Sequence, residues 1–237
     1  TWQPNVTNNL NLAVSAGVLN TAVDSSSDTL GSGGSISVGG TSTFNIGENL
    51  TLDSAQITRA NGASLSLAAG KTLTAQNGGD VTITGGYNQT TAATINVSGA
   101  GSTFTMTTGS EFRGGSALNI TAGGAVSCAS FLDLAVGGGN ATVLVDGAGS
   151  SFAAIAESFW GRGGNTAAVT FSNGSTGNFG GMQLANVGVG SAGTVNVQSG
   201  STLTFGALLL ANTTSAATAA ITVDGAGSLI TQSGASR

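Results

Sequence analysis

Residues 195–205, Val-Asn-Val-Gln-Ser-Gly-Ser-Thr-Leu-Thr-Phe, contain the pattern that decides the fold. Val195-Asn196-Val197 alternates apolar and polar side chains, which is typical of a strand with one buried face. Ser199-Gly200 then favours a tight turn, and Thr202 begins a second alternating strand. A third apolar piece, Leu208-Leu209-Leu210, completes the unit.

The apolar-polar-apolar triplet recurs nine times at a nearly regular interval along the chain. The triplets are Leu12-Ala13-Val14, Ile36-Ser37-Val38, Leu65-Ser66-Leu67, Ile95-Asn96-Val97, Leu118-Asn119-Ile120, Val143-Leu144-Val145, Val169-Thr170-Phe171, Val195-Asn196-Val197 and Ile221-Thr222-Val223. A repeat of this size cannot bury its own apolar face, so it must stack on its neighbours. We therefore predict an all-β fold, a right-handed single-stranded parallel β-helix (β-solenoid) of about nine triangular coils of roughly 26 residues. It spans residues 12–237, and residues 1–11 form an N-terminal cap or inter-subunit contact.

Stacking in register predicts one buried column made of the last residue of every triplet. Its members are Val14, Val38, Leu67, Val97, Ile120, Val145, Phe171, Val197 and Val223. Three corners carry a Gly-Ala-Gly turn, in which glycine supplies the positive φ that a tight corner needs. The predicted turn residues are Gly99, Gly101, Gly147, Gly149, Gly225 and Gly227.

Composition excludes several classes of function. Only 6% of the residues are charged, with ten acids and five bases in no run of either sign, so a nucleic-acid surface is not expected. The chain has no His, and Cys128, at an inward position, is its single thiol, so we predict no metal site and no cofactor. No apolar stretch is long enough to span a membrane as a helix.

Catalysis by paired carboxylates is not expected either. Asp146 and Asp224 occupy equivalent corners three coils apart, which places them about 14 Å from each other. That is beyond the separation of about 5 to 9.5 Å that glycosidase acids use. The sequence therefore predicts no catalytic residues and a protein that is not an enzyme.

Aromatic and terminal residues are the candidate contacts. Trp160 lies in the least repetitive stretch, Glu157 to Arg162, and could either bind a glycan or protein if exposed or fill the interior at the third strand. An adhesin or glycan-binding function gains support if Trp160 and Tyr87 are exposed on one face. Trp2 and Ile230, near the two ends, are the other possible contacts.

Three corner phrases carry a family resemblance: Val97-Ser98-Gly99-Ala100-Gly101-Ser102-Thr103-Phe104, Val145-Asp146-Gly147-Ala148-Gly149-Ser150-Ser151-Phe152 and Val223-Asp224-Gly225-Ala226-Gly227-Ser228-Leu229-Ile230. They resemble the repeat of autotransporter-like (type V secretion) passenger domains and of related exported bacterial repeat proteins. The resemblance implies a β-helix displayed outside the bacterial cell. Such passengers include adhesins and stalks, so both functions stay open at this point.

The ends of the chain suggest self-association. The coil that starts at Ile221 forms a second strand near Ile230 and reaches Arg237 without a third strand. An uncapped solenoid exposes strand edges and an apolar cross-section. We expect the beginning of one subunit to complete the end of the next, giving a head-to-tail homopolymer that acts as an extracellular rod or filament. Because the first residue is not Met, the chain is expected to be a processed or excised piece.

Overall fold

The computed structural model describes residues 10–21, 27–211 and 216–234, which form strands and turns without a helix. The strands are β1 (Asn11–Val14), β2 (Val18–Asn20), β3 (Ser27–Leu30), β4 (Ser35–Val38), β5 (Thr43–Ile46), β6 (Asn49–Asp53), β7 (Gln56–Arg59), β8 (Ser64–Leu67), β9 (Thr72–Gln76), β10 (Asp80–Ile83), β11 (Asn88–Gln89), β12 (Thr94–Ser98), β13 (Thr103–Met106), β14 (Ser110–Phe112), β15 (Ser116–Thr121), β16 (Ala125–Cys128), β17 (Leu132–Val136), β18 (Ala141–Asp146), β19 (Ser151–Arg162), β20 (Thr166–Ser172), β21 (Thr176–Leu184), β22 (Ala192–Gln198), β23 (Thr202–Leu210), β24 (Thr218–Asp224) and β25 (Leu229–Gln232). Each described pairing between them is parallel. The predicted parallel β-solenoid is confirmed.

The strands form three faces. The first face contains β1, β4, β7, β10, β13, β16, the first parts of β19, β21 and β23, and β25. The second face consists of β2, β5 and β8, then β11, β14 and β17, and then the later parts of the same three long strands. The third face contains β3, β6, β9, β12, β15, β18, β20, β22 and β24. Since β19, β21 and β23 each turn a corner, the first two faces join into one sheet.

The early coils are shorter than the sequence predicted. Equivalent positions on the first face are Asn11, Ser35, Gln56, Asp80, Thr103, Ala125, Ser151, Thr176, Thr202 and Leu229. A coil before Ala125 holds roughly 23 residues on average, and a coil after it holds roughly 26 residues, both within the range of solenoid repeats. Nine coils are therefore described, and β25 begins a tenth.

The predicted single column is correct for six of its nine residues. Val97, Ile120, Val145, Phe171, Val197 and Val223 follow one another on the third face. The other three positions are a correction: Val14 and Val38 lie on the first face, and Leu67 lies on the second face beside Ile46. The reason is physical: all three faces carry the same two-residue alternation and end at a turn, so alternation alone does not identify the face.

The interior is mostly apolar along the length of the rod. Val97, Val145 and Val197 are each 0% exposed, and large rings such as Phe104 and Phe152 fill the space between faces. Fully burying such a side chain contributes about 1.5–3 kcal/mol. The stacked column is therefore the main source of stability, and its individual members are replaceable only at a substantial cost.

The corners are built as the sequence predicted, with one addition. The turn residues Gly99, Gly101, Gly147, Gly149, Gly225 and Gly227 all have φ between +79° and +92°. The serine that ends each of these turns points into the corner: the Ser150 hydroxyl donates to the Asp146 carbonyl (2.6 Å) and accepts the N–H of Gly123 (2.9 Å) from the coil below. Ser102 repeats this arrangement with Ser98 and Gly78. Each such serine joins two coils.

Candidate functional site

Trp160 is part of the core. It is 1% exposed and lies between Phe152, at a ring-centroid distance of 6.3 Å, and Phe179, at 4.9 Å. Its assignment as a contact residue is therefore wrong, because a ring packed between two interior rings does not reach a partner. The alternative, that Trp160 fills the interior where β19 enters the second face, is correct.

Tyr87 is also buried, with its hydroxyl donating to the Gln89 side chain. An adhesin or glycan-binding function was expected to use Trp160 and Tyr87 as an exposed aromatic face. Neither ring is exposed, so these two residues do not form such a face. Trp2 lies outside the described residues. Adhesion stays a prediction without the feature that would have favoured it.

The last described coil presents an edge that no described strand covers. We define the open edge as the sides of β24 and β25 that face away from the preceding coil, together with Leu208–Leu210 of β23. Among the described strands, β24 pairs only with β22, and β25 pairs only with β23. These sides therefore offer main-chain N–H and C=O groups that no described strand pairs.

Apolar side chains lie inside the rim of the open edge. Val223 is 50% exposed, whereas Val197, directly below it in the same column, is 0% exposed. Val223 has its predicted place in the column, but its predicted burial is wrong, because no described coil covers it. Ile230, a predicted contact, is partly buried in β25, and its neighbour Leu229 is 54% exposed. An uncovered edge of this kind can pair with a further strand.

A charged cluster on the second face is the other unusual surface. We define it as Glu111, Arg113, Asp133 and Arg162, which stand out in a chain with few charges. Glu111 and Asp133 are directly paired on β14 and β17. The Arg113 guanidinium lies 3.3 Å from the Glu111 carboxylate, and Arg162 lies 4.9 Å from the centre of the Phe159 ring. Two carboxylates and two guanidiniums therefore lie on the same face, and Arg113 and Glu111 form an ion pair among them.

Asp133 is the perturbed member of the charged cluster. Its side chain is 4% exposed and accepts the N–H of Phe159 at 2.9 Å. Burial raises the pKa of Asp133 to about 6, the Phe159 N–H opposes this rise, and the Glu111 carboxylate adds to it. Sequence reasoning missed this pair because it compared only the corner residues Asp146 and Asp224. The sequence signal that could have revealed the pair is the position of the two acids: Glu111 and Asp133 occupy equivalent places in the third apolar pieces of two successive repeats.

Cys128 lies inward on β16, as expected, and is buried. Its thiol donates to the carbonyls of Thr108 (3.0 Å) and Phe131 (3.2 Å). Burial is the main reason that the pKa of this thiol lies above its ordinary value. A protonated, enclosed thiol is a weak nucleophile.

The described residues lack the features of two other classes of site. They contain no group of three or more His, Cys, Asp or Glu side chains placed to hold a metal ion. Among the same residues, no helix is long and apolar enough to cross a membrane. No protein-family model matches the chain, and neither a curated protein nor a solved structure matches it.

Proposed function

We propose that this protein is a structural rod of the bacterial exterior whose subunits associate head to tail into a filament. The observation that carries the proposal is the open edge of the last described coil. The rod supplies stiffness through its stacked apolar column and main-chain ladders. The open edge supplies the means of extending it.

The contrast between Val223 and Val197 gives the driving force. Covering the open edge with a further coil would bring Val223 towards the full burial of Val197 and would pair the free sides of β24 and β25. Each apolar side chain that becomes buried contributes about 1.5–3 kcal/mol, and several of them offset the roughly 4–15 kcal/mol cost of association. The first described coil, with Leu12 and Leu19 partly buried at its inward positions, is the surface proposed to cover it.

A contact between the last coil of one copy and the first coil of the next is heterologous. Such a contact uses two different surfaces and does not close on itself when the copies continue along one axis, so it produces a filament rather than a dimer. A location outside the cell is supported by the resemblance of the corner phrases to autotransporter-like passengers. The low charge of the chain, at 6%, agrees with a surface built from Ser, Thr and Asn.

Negative-stain microscopy and size-exclusion chromatography with light scattering test the proposal. The protein is expected to form unbranched fibres whose length grows with concentration. Val223→Asp, which places a charge inside the open edge, is expected to abolish the fibres and leave a folded monomer by circular dichroism. Val189→Asp is the matched control, because Val189 is also a surface valine, at a side corner, and it should leave the fibres intact.

The proposal fails if the unmodified chain remains monomeric at high concentration. It also fails if Val223→Asp and Val189→Asp affect the fibres alike. In that case the association would not use the open edge.

A further inference from the structure

Arg59 is a charged residue in a column of apolar ones. It is the last residue of β7, and its neighbours in the column are Val38 in the coil below and Ile83 in the coil above. Its side chain is 7% exposed. A guanidinium thus occupies a position where the adjacent coils place aliphatic side chains.

The partners of Arg59 satisfy hydrogen bonds without supplying charge. One terminal nitrogen donates to the Ala63 carbonyl at 2.7 Å, and the other donates to the Gly86 carbonyl. Nε is buried and has no hydrogen-bond partner. Among the described residues, the ionisable group that acts on Arg59 is the Tyr87 phenol, which is neutral at physiological pH, and burial raises its pKa further. A buried cation without a counter-charge is energetically costly, and an anion that binds beside it lowers that cost.

A cavity opens beside this guanidinium. It has a volume of about 210 Å³ and lies at the corner between the first and second faces of the third and fourth coils, lined by Arg59, Ala63, Ser64, Leu65, Gly86, Tyr87 and Asn88. One water occupies about 30 Å³ in the liquid, so the cavity has room for a small polyatomic ion. Ser64 and Asn88, both exposed at the mouth, contribute a hydroxyl and an amide group as donors.

We propose that this cavity binds a small oxyanion, a sulfate or a carboxylate group, on the guanidinium of Arg59. Guanidinium groups bind such oxygens through charge-assisted hydrogen bonds, which are about twice as strong as neutral ones. Ser64 and Asn88 complete the donor set from the rim. The site is independent of the open edge, which is on the last described coil. Failure of anion binding would therefore leave the filament proposal untouched, and the reverse also holds.

Isothermal titration calorimetry on the full chain tests the site. Sodium sulfate and sodium acetate are titrated separately at low ionic strength, where screening of the charge is weak. The expected result is one site per chain for at least one of the two salts. Which salt binds more tightly distinguishes a sulfate-bearing from a carboxylate-bearing ligand.

Two variants and one control connect the binding to Arg59. Arg59→Met is expected to abolish the binding heat. Asn88→Asp places a negative charge at the mouth, where the residue is exposed and the fold is not at risk, and is expected to weaken binding about tenfold or more. Asn178→Asp makes the same charge change at an exposed position of β21, four coils or roughly 19 Å further along the rod, and should leave the affinity within about twofold.

The proposal is overturned if the unmodified chain binds neither sulfate nor acetate. It is also overturned if Asn88→Asp and Asn178→Asp have equal affinities. If Arg59→Met does not fold, the comparison of the two Asn variants still decides the matter, because both change only exposed side chains.

Discussion

Replacing Asp133 by Asn should stabilise the protein at neutral pH. Asp133 lies in the charged cluster, 4% exposed, with Glu111 on the strand below and the N–H of Phe159 donating to it. Burial raises its pKa to about 6, against about 3.9 in an unfolded chain. Asn has nearly the same shape, keeps an oxygen that can accept the Phe159 N–H, and never carries a charge.

The magnitude follows from the two pKa values. Between about pH 3.9 and about pH 6 the folded protein binds a proton at Asp133 that the unfolded chain has released, so the free energy of unfolding falls as pH rises through this window. A rise in pKa from about 3.9 to about 6 corresponds to about 3 kcal/mol. At pH 4 the two proteins should therefore be almost equally stable. At pH 7.5 Asp133→Asn should be more stable by up to about 3 kcal/mol.

Urea denaturation followed by circular dichroism, at five values from pH 4 to pH 8, measures this difference. Asp224→Asn is the matched control, since Asp224 is exposed, and this variant should not show the gain in stability at pH 7.5. A difference between Asp133→Asn and the parent that does not change with pH would refute the reasoning. A variant that is less stable than the parent at pH 7.5 would refute it as well.

Three further predictions concern the rod itself. Phe152→Ala, which empties a fully buried position, should lower the free energy of unfolding by about 3–5 kcal/mol in urea denaturation, whereas Leu144→Ala, on the outer side of β18, should change it by less than about 1 kcal/mol. Gly147→Ala should cost about 1–2 kcal/mol because φ is +92° there, and Gly39→Ala, which meets only ordinary contacts, should cost less than about 0.5 kcal/mol; equal costs would contradict the role given to the corner glycines. Cys128 should resist a thiol reagent such as dithionitrobenzoate in the native protein and react stoichiometrically in urea, and rapid labelling of the native thiol would contradict its burial.

The fold could be predicted from the sequence because the same two-residue alternation and the same glycine corners recur throughout the chain. The positions of Val97 to Val223 in one column follow from their nearly constant spacing of roughly 25 residues, which is typical of a solenoid repeat. The assignment failed at Val14, Val38 and Leu67 because the third-face column continues below Val97 through Ala75, Leu52 and Leu30, at the shorter interval of the early coils. Leu30 and Leu52 lie on strands with the same alternation as the chosen triplets, and the side chain of Ala75 is too small to stand out. The triplet Leu65-Ser66-Leu67, on the second face, alternates more clearly than Leu73-Thr74-Ala75 on the third face and was chosen in its place.

The candidate sites were harder to predict, for reasons specific to each residue. The sequence left Trp160 open between a surface contact and an interior ring because its neighbours break the repeat. The strand β19 turns a corner there through an irregularity between Ala154 and Glu157, and the ring lies inside. Arg59 could not be recognised before the register was known, since only the pairing with Val38 and Ile83 identifies its position as interior. Asp133 needed its pairing with Glu111 for the same reason. The strand register, and not the composition, therefore determines where Trp160, Arg59 and Asp133 lie.

Distances between pairs of spin labels would test the stacked-coil arrangement most directly. With Cys128 replaced by Ser, labels are attached at Asn96 and Asn196, and in a second sample at Asn96 and Thr222, which lie in one outward column on the third face. Four and five coils at about 4.8 Å each predict backbone separations of about 19 Å and about 24 Å, although the paired residues are far apart in sequence. A second distance shorter than the first, or separations far above these values, would contradict a parallel solenoid.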